Sequence, residues 1–140
     1  KAKEVIENYD ISACTDITGF GLIGHAMEMA SSSQVTFEID VHKVPYIDGA
    51  LYMAKMGLVP AGTYNNKNYI ENDVYSENIQ EYFIDALYDP QTSGGLLITL
   101  PESKVENIMK DFTNKNMETK VAEIGKVIEK QEKSIILKNS

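Results

Sequence analysis

Cysteine is almost absent from this 140-residue chain: Cys14 is the only one. A lone thiol cannot form an intrachain disulfide, so the sequence suits a reducing, cytoplasmic setting. No apolar run approaches the ~20 residues needed to span a bilayer, and no secretory h-region opens the chain, so no membrane role is expected. Positive charge is also scarce. The net charge of −8 argues against nucleic acid, whose backbone is met by clustered Lys and Arg. The nearest basic group, Lys126, Lys130 and Lys133, is interleaved with Glu129 and Glu132 and reads as a solvated face. Neither Gly-Lys-Ser/Thr of a Walker A loop nor GxGxxG occurs, and there is no repeat, low-complexity tract or linker.

What is present suits one globular domain. The hydrophobic fraction of 43% and a length that buries roughly 68–70% of the unfolded surface provide for a core without staples. The chain opens on a helical stretch, Lys1 to Tyr9, with no Met and no flexible lead-in, which reads as a piece cut from a longer protein.

Ile11 to Cys14 is a strand-like stretch, and Cys14 reads as a small buried thiol. Phe20, Ile23, Met27 and Ala30 recur at helical spacing, predicting a largely buried helix. Val35, Phe37, Ile39 and Val41 alternate with polar residues, predicting a strand with one face buried. A helix follows Pro45, with Gly57 as its C′ residue. Residues 58–75 have no clear period and read as loop-rich. A further helix is expected from about Ser76, ending before Pro90. Leu96 to Leu100 reads as a buried strand, Pro101 opens another helix, and 121–128 with 134–137 read as a final hairpin with a bulge at Gly125. The class is therefore α+β: a mixed β-sheet packed with helices.

Two segments carry more glycines and hydroxyls than packing requires. In Thr15-Asp16-Ile17-Thr18-Gly19-Phe20-Gly21, a strand turns into a helix. Helix first-turn amides attract anions, and Asp16 is placed to hold a cation that bridges to phosphate, as Mg²⁺ prefers. Equally, Asp16 and Thr18 could be N-cap residues. In Asp89-Pro90-Gln91-Thr92-Ser93-Gly94-Gly95 the hydroxyls and glycines could line an anion site or form an ordinary turn. His25 lacks a second ligand at metal spacing and reads as a hydrogen-bonded structural residue; His42 reads as exposed at a strand end.

Ala13 to His25 and Asp89 to Leu97 closely resemble the C-terminal-domain signatures of selenophosphate synthetases, with Val44-Pro45, Gly49-Ala50 and Pro60 to Asn65 between them in the family's order. The superfamily relatives (aminoimidazole ribonucleotide synthetase, thiamine-monophosphate kinase and the hydrogenase-maturation dehydratase) share the two-domain plan but match neither motif closely. A non-catalytic interaction domain is a third reading.

The resemblance implies an aminoimidazole ribonucleotide synthetase C-terminal-domain-like fold, spanning residues 1–140 as the C-terminal domain of a two-domain enzyme. That enzyme converts ATP, selenide and water to selenophosphate, AMP and phosphate. Its N-terminal domain would hold most of the ATP and Mg²⁺, carry the catalytic Cys or selenocysteine and Lys, and form a homodimer. Asp16 would supply one metal ligand. Thr18, Gly19 and Gly21 would shape its loop, and Thr92, Ser93, Gly94 and Gly95 would face the same interdomain cleft. No catalytic residue is expected in this chain. Pro60 to Asn65 often has a double glycine where Ala61-Gly62 stands here, and no site is assigned to it.

Overall fold

A computed structural model describes residues 1–90, 95–117 and 120–139. Gln91, Thr92, Ser93 and Gly94 lie outside the described residues, and with them three of the expected cleft residues.

The elements run α1 (Ala2–Ile6), β1 (Ala13–Asp16), α2 (Gly21–Ser33), β2 (Val35–Asp40), α3 (Ala50–Lys55), α4 (Ala61–Ile70), β3 (Val74–Ser76), α5 (Glu81–Leu87), β4 (Leu96–Thr99), α6 (Val105–Asn114), β5 (Gly125–Glu129) and β6 (Ile135–Lys138). Four strands form a mixed sheet in the order β3-β6-β2-β5, with β2 parallel to β6 and antiparallel to β5. β1 and β4 form a separate antiparallel ribbon. The class is α+β, as expected.

α2 is built as its periodicity requires. Leu22, Ile23, Ala26 and Ala30 are buried on the side that meets Phe37 and Ile39 of β2 and Ile135 and Leu137 of β6. Ile17, Val41, Ile70, Phe83, Leu87 and Tyr88 complete that core. A smaller core joins Val5 of α1 to Ile108 and Phe112 of α6. The β1–β4 ribbon lies between the two: Leu97 packs toward the main core and the alternate residue Ile98 toward the smaller one. Gly57, at φ +81, ends α3, with its N–H on Ala54 O and that of Leu58 on Met53 O. That is a Schellman close at the position expected.

Five expectations need correcting. Residues 61–70 are helix, not loop; only Thr63 and Ile70 of α4 are buried, so no apolar stripe marks it. The helix expected from Ser76 starts at Glu81, because 74–76 is a strand. β4 is half-exposed rather than buried, with Leu96 open to solvent. β2 lies inside the sheet and buries both faces. Its Thr36 hydroxyl donates to Lys133 O and accepts from Gln131 N, both at 2.8 Å.

The final hairpin is the fifth. β5 and β6 do not pair; β2 lies between them. Gly125 marks no bulge, since its ladder to β2 runs in unbroken register. A Cβ there would lie 1.9 Å from Glu38 O, so the glycine permits a close backbone approach.

Candidate functional site

β1 carries Asp16 to the exposed end of the ribbon. In its register Asp16 faces Leu96 across the ladder, and the next amide, Ile17 N–H, donates to Gly95 O at 2.8 Å. The two glycine-bearing segments, far apart in sequence, thus share one edge. Ile17 is buried and anchors this point, while Asp16, Thr18, Gly19 and Gly95 are exposed around it. A Cβ at Gly19 or Gly95 would meet nothing within 4 Å among the described residues, so neither glycine is needed for packing against them.

Cys14 is exposed, against the expectation of a buried thiol, because β1 alternates and Cys14 shares its outer face with Asp16. Partial desolvation, and then the Asp16 carboxylate, push its pKa above the ordinary thiol value. It is therefore held as a thiol, a poor nucleophile.

The turn into α2 is made by backbone: Gly21 N–H donates to Thr18 O at 3.0 Å. Phe20 is the N-cap and no side chain caps the helix, so neither Asp16 nor Thr18 has that role. Gly21 is required on two counts. Its φ is +78, and a Cβ would lie 3.0 Å from Tyr88 O and 3.1 Å from Asp89 O. The N-terminus of α2 is therefore packed against the carbonyls that end α5. Thr18 turns the other way, with Oγ1 at 3.0 Å from His25 Nε2, and His25 Nδ1 is 3.3 Å from Glu28 Oε1. His25 is thus hydrogen-bonded, as expected.

The residues that sequence reasoning missed lie on α4. Asn66 Nδ2 donates to Gly19 O and to Tyr88 O, both at 2.9 Å. The fully buried Thr63 hydroxyl donates to Asp89 Oδ1 at 3.3 Å. Burial raises the Asp89 pKa above the ordinary aspartate value, and the Thr63 hydrogen bond opposes that shift. A Cβ at Gly62 would lie 2.9 Å from Pro90 Cγ, so α4 packs tightly on the second motif. The one signal in the sequence is the likeness of Pro60 to Asn65 to a family segment, which includes Gly62 and Thr63 and stops just before Asn66.

Beside the Gly19 turn, Phe20, Met27 and Tyr69 line an open recess of about 450 Å³ with Glu28, Asn65 and Asn66 at its polar side. No group of three His, Cys, Asp or Glu able to hold a metal occurs among the described residues. Asp16 is exposed, and among those residues its carboxylate has no hydrogen bond or ion pair. It therefore fits a metal ion only as one donor of a set completed by phosphate, water or another polypeptide.

Residues 1–138 match the family described as AIR synthase related protein, C-terminal domain. The chain is 50% identical over 131 residues to the selenide, water dikinase of Clostridioides difficile (strain 630), covering 92% of this chain and 37% of that protein. It is 46% identical over 138 residues to the selenide, water dikinase of Caldanaerobacter subterraneus subsp. tengcongensis, covering 99% and 40%. With selenide, water dikinase 2 of Peptoclostridium acidaminophilum it shares 44% over 137 residues, 97% of the chain and 39% of the relative. The chain thus spans about two-fifths of the length of the curated relatives it matches. No helix among the described residues is long and apolar enough to cross a membrane. The ribbon that joins the Asp16 and Gly95 segments therefore belongs to an AIR synthase related protein, and this chain is a C-terminal domain of that family.

Proposed function

We propose that the chain is the C-terminal domain of a selenide, water dikinase, which makes selenophosphate from selenide, ATP and water with release of AMP and phosphate. The observation that carries this reading is the Ile17–Gly95 bond, which gathers an exposed carboxylate, a hydroxyl and two sterically unneeded glycines at one edge. Asp16 supplies one carboxylate to Mg²⁺. When bound, Mg²⁺ neutralises charge on phosphate oxygens, the main demand of phosphoryl transfer. Gly19 and Gly95 leave the edge low enough for a phosphate or another domain to approach the backbone, and Thr92, Ser93 and Gly94, outside the described residues, belong to the same cleft in this proposal. Gly21 fixes the turn that aims Asp16, and Thr18 is held by His25. An N-terminal domain of the same enzyme provides most of the ATP site, the remaining Mg²⁺ ligands and the reactive Cys or selenocysteine with its Lys. Dimerisation through that domain and a cytoplasmic location complete the proposal.

The test is Asp16→Asn in the two-domain enzyme, assayed for selenide-dependent AMP release across a Mg²⁺ titration. The amide keeps shape but loses charge. Turnover is expected to fall by at least ~10–100-fold, the loss typical even of outer partners in a metal site. Near-wild-type turnover at every Mg²⁺ concentration would remove Asp16 from the site. AMP release that ignores selenide would point to a related ATP-using enzyme instead.

A further inference from the structure

One side chain bridges the first glycine-bearing segment and the end of α5, the residue just before the second. Asn66 Nδ2 stands 2.9 Å from Gly19 O and 2.9 Å from Tyr88 O. Carbonyl oxygens only accept, and an amide nitrogen carries two hydrogens, so the nitrogen faces them and gives one hydrogen to each. Gly19 belongs to the turn that follows Asp16. Tyr88 is the C-cap of α5 and leads directly into Asp89 and Pro90. Asn66 is half-buried, so competition from water is reduced. Its helix is itself fixed to the second segment by Thr63 on Asp89 and by Gly62 against Pro90.

Among the described residues, the other contacts between these parts are of another kind. The Ile17–Gly95 bond ties the strands below the turn, and Gly21 only packs against the Tyr88 carbonyl. A Cβ on the exposed Gly19 would meet nothing within 4 Å among the described residues. Given the dikinase reading above, we infer that Asn66 is a positioning residue: its amide clamps the Asp16–Gly21 turn to the end of α5, so that the Asp16 carboxylate and the Gly95 edge meet the phosphates as one rigid unit. It touches neither nucleotide nor metal. A carboxylate in its place could not donate, and alanine would release both carbonyls.

The test has two arms. The first is amide hydrogen exchange on the 140-residue chain. Gly21 N–H, bonded to Thr18 O, reports on the turn, and Asp89 N–H, bonded to Ala86 O, reports on the end of α5. In Asn66→Ala both should exchange about tenfold faster, as expected when one hydrogen bond to each segment is lost. The sheet amides of Phe37 and Val41, bonded to Ser134 O and Lys138 O, should change less than about twofold, since local opening does not require global unfolding. Asn66→Asp should behave like Asn66→Ala, whereas Asn66→Gln, which keeps both donors, should recover part of the protection. Unchanged exchange at either reporter, or equal acceleration in the sheet, would overturn the clamp.

The second arm is kinetic, in the two-domain enzyme. Asn66→Ala should lower kcat for selenide-dependent AMP release about tenfold while KM for ATP moves less than about twofold, because positioning acts on the transition state more than on ground-state binding. An unchanged kcat, with faster exchange at both reporters, would refute the positioning role. If wild-type AMP release did not depend on selenide, the dikinase reading would fall, and the exchange arm would still decide the clamp.

Discussion

Thr18 Oγ1 stands 3.0 Å from His25 Nε2, and the far side of the same ring faces Glu28 at 3.3 Å. The threonine hydroxyl can serve either ring tautomer, donating to a bare Nε2 or accepting from Nε2–H. His25 is packed edge-on against Phe20 and its side chain is only 16% exposed, which leaves the ring little freedom. The arrangement resembles an oriented base beside a hydroxyl, yet its place at the Asp16 turn suits holding the loop. His25→Ala and Thr18→Val should each lower turnover of the two-domain enzyme by several-fold. The double variant should fall no further than the worse single one, because both remove the same contact. Losses that multiply would show that the two side chains act separately.

The glycines of the turn should separate cleanly in stability. Gly21→Ala forces a side chain into φ +78 and against two carbonyl oxygens at 3.0 and 3.1 Å. It should cost about 1–3 kcal/mol of unfolding free energy. Gly19→Ala meets nothing and should stay within about 0.5 kcal/mol of wild type. Urea unfolding of both variants checks this, and equal effects would contradict the geometry of the turn.

Asp85 predicts a pH dependence opposite in sign to the usual carboxylate. Among the described residues its Oδ1 is buried without a hydrogen bond, and Lys67 Nζ is 3.8 Å away. Burial raises its pKa above the ordinary aspartate value; Lys67 opposes this and Glu81 adds to it. A folded-state pKa above the unfolded one means that the folded chain binds more protons. The ionised group therefore weakens folding at neutral pH, and that weakening fades as pH falls through the raised pKa. Asp85→Asn should be as stable as wild type or more so at pH 7, with the advantage shrinking toward the ordinary aspartate range. Calorimetric Tm values between pH 7 and about 4 test this. A variant less stable at pH 7 would mean that the Lys67 pairing outweighs desolvation.

The buried elements were legible because their chemistry is periodic. α2 repeats apolar residues on one face, and β2 alternates Phe37 and Ile39. α4 was not legible. Its purpose is polar: Thr63 and Asn66 point at backbone and carboxylate oxygens, while Tyr64 and Tyr69 are exposed. Such a helix has no apolar stripe to read. The pairing of β6 with β2 was hidden for a different reason. Spacing favours a local hairpin through 130–133, but Phe37 and Ile39 offer a central strand on which Ile135 and Leu137 bury fully. Of the candidate site, Asp16 and its glycines could be named from residue types. Their junction with Gly95 depends on the β1–β4 ladder, and nothing in either segment alone encodes that.

The chain by itself should fold cooperatively yet bind nucleotide very weakly. Its two apolar cores and mixed sheet are of the kind that gives a domain of this size roughly 5–15 kcal/mol of stability. Ligand binding is another matter. The net charge of −8 opposes approach of a triphosphate. The exposed Asp16 carboxylate is a single donor, and no three-residue metal group exists among the described residues to reinforce it. Mg²⁺ held by one carboxylate and water should bind with a Kd of about 1 mM or weaker, since magnesium sites otherwise rely on substrate phosphates to complete them. Titration calorimetry with Mg²⁺ alone and with Mg-ATP, beside an assay for AMP release with selenide, measures each part. The expected result is a cooperative thermal transition, millimolar or weaker Mg²⁺ binding, barely detectable heat with ATP and no AMP. ATP binding in the micromolar range, or steady AMP production by these 140 residues, would locate far more of the active site here than one carboxylate and a glycine-lined edge can account for.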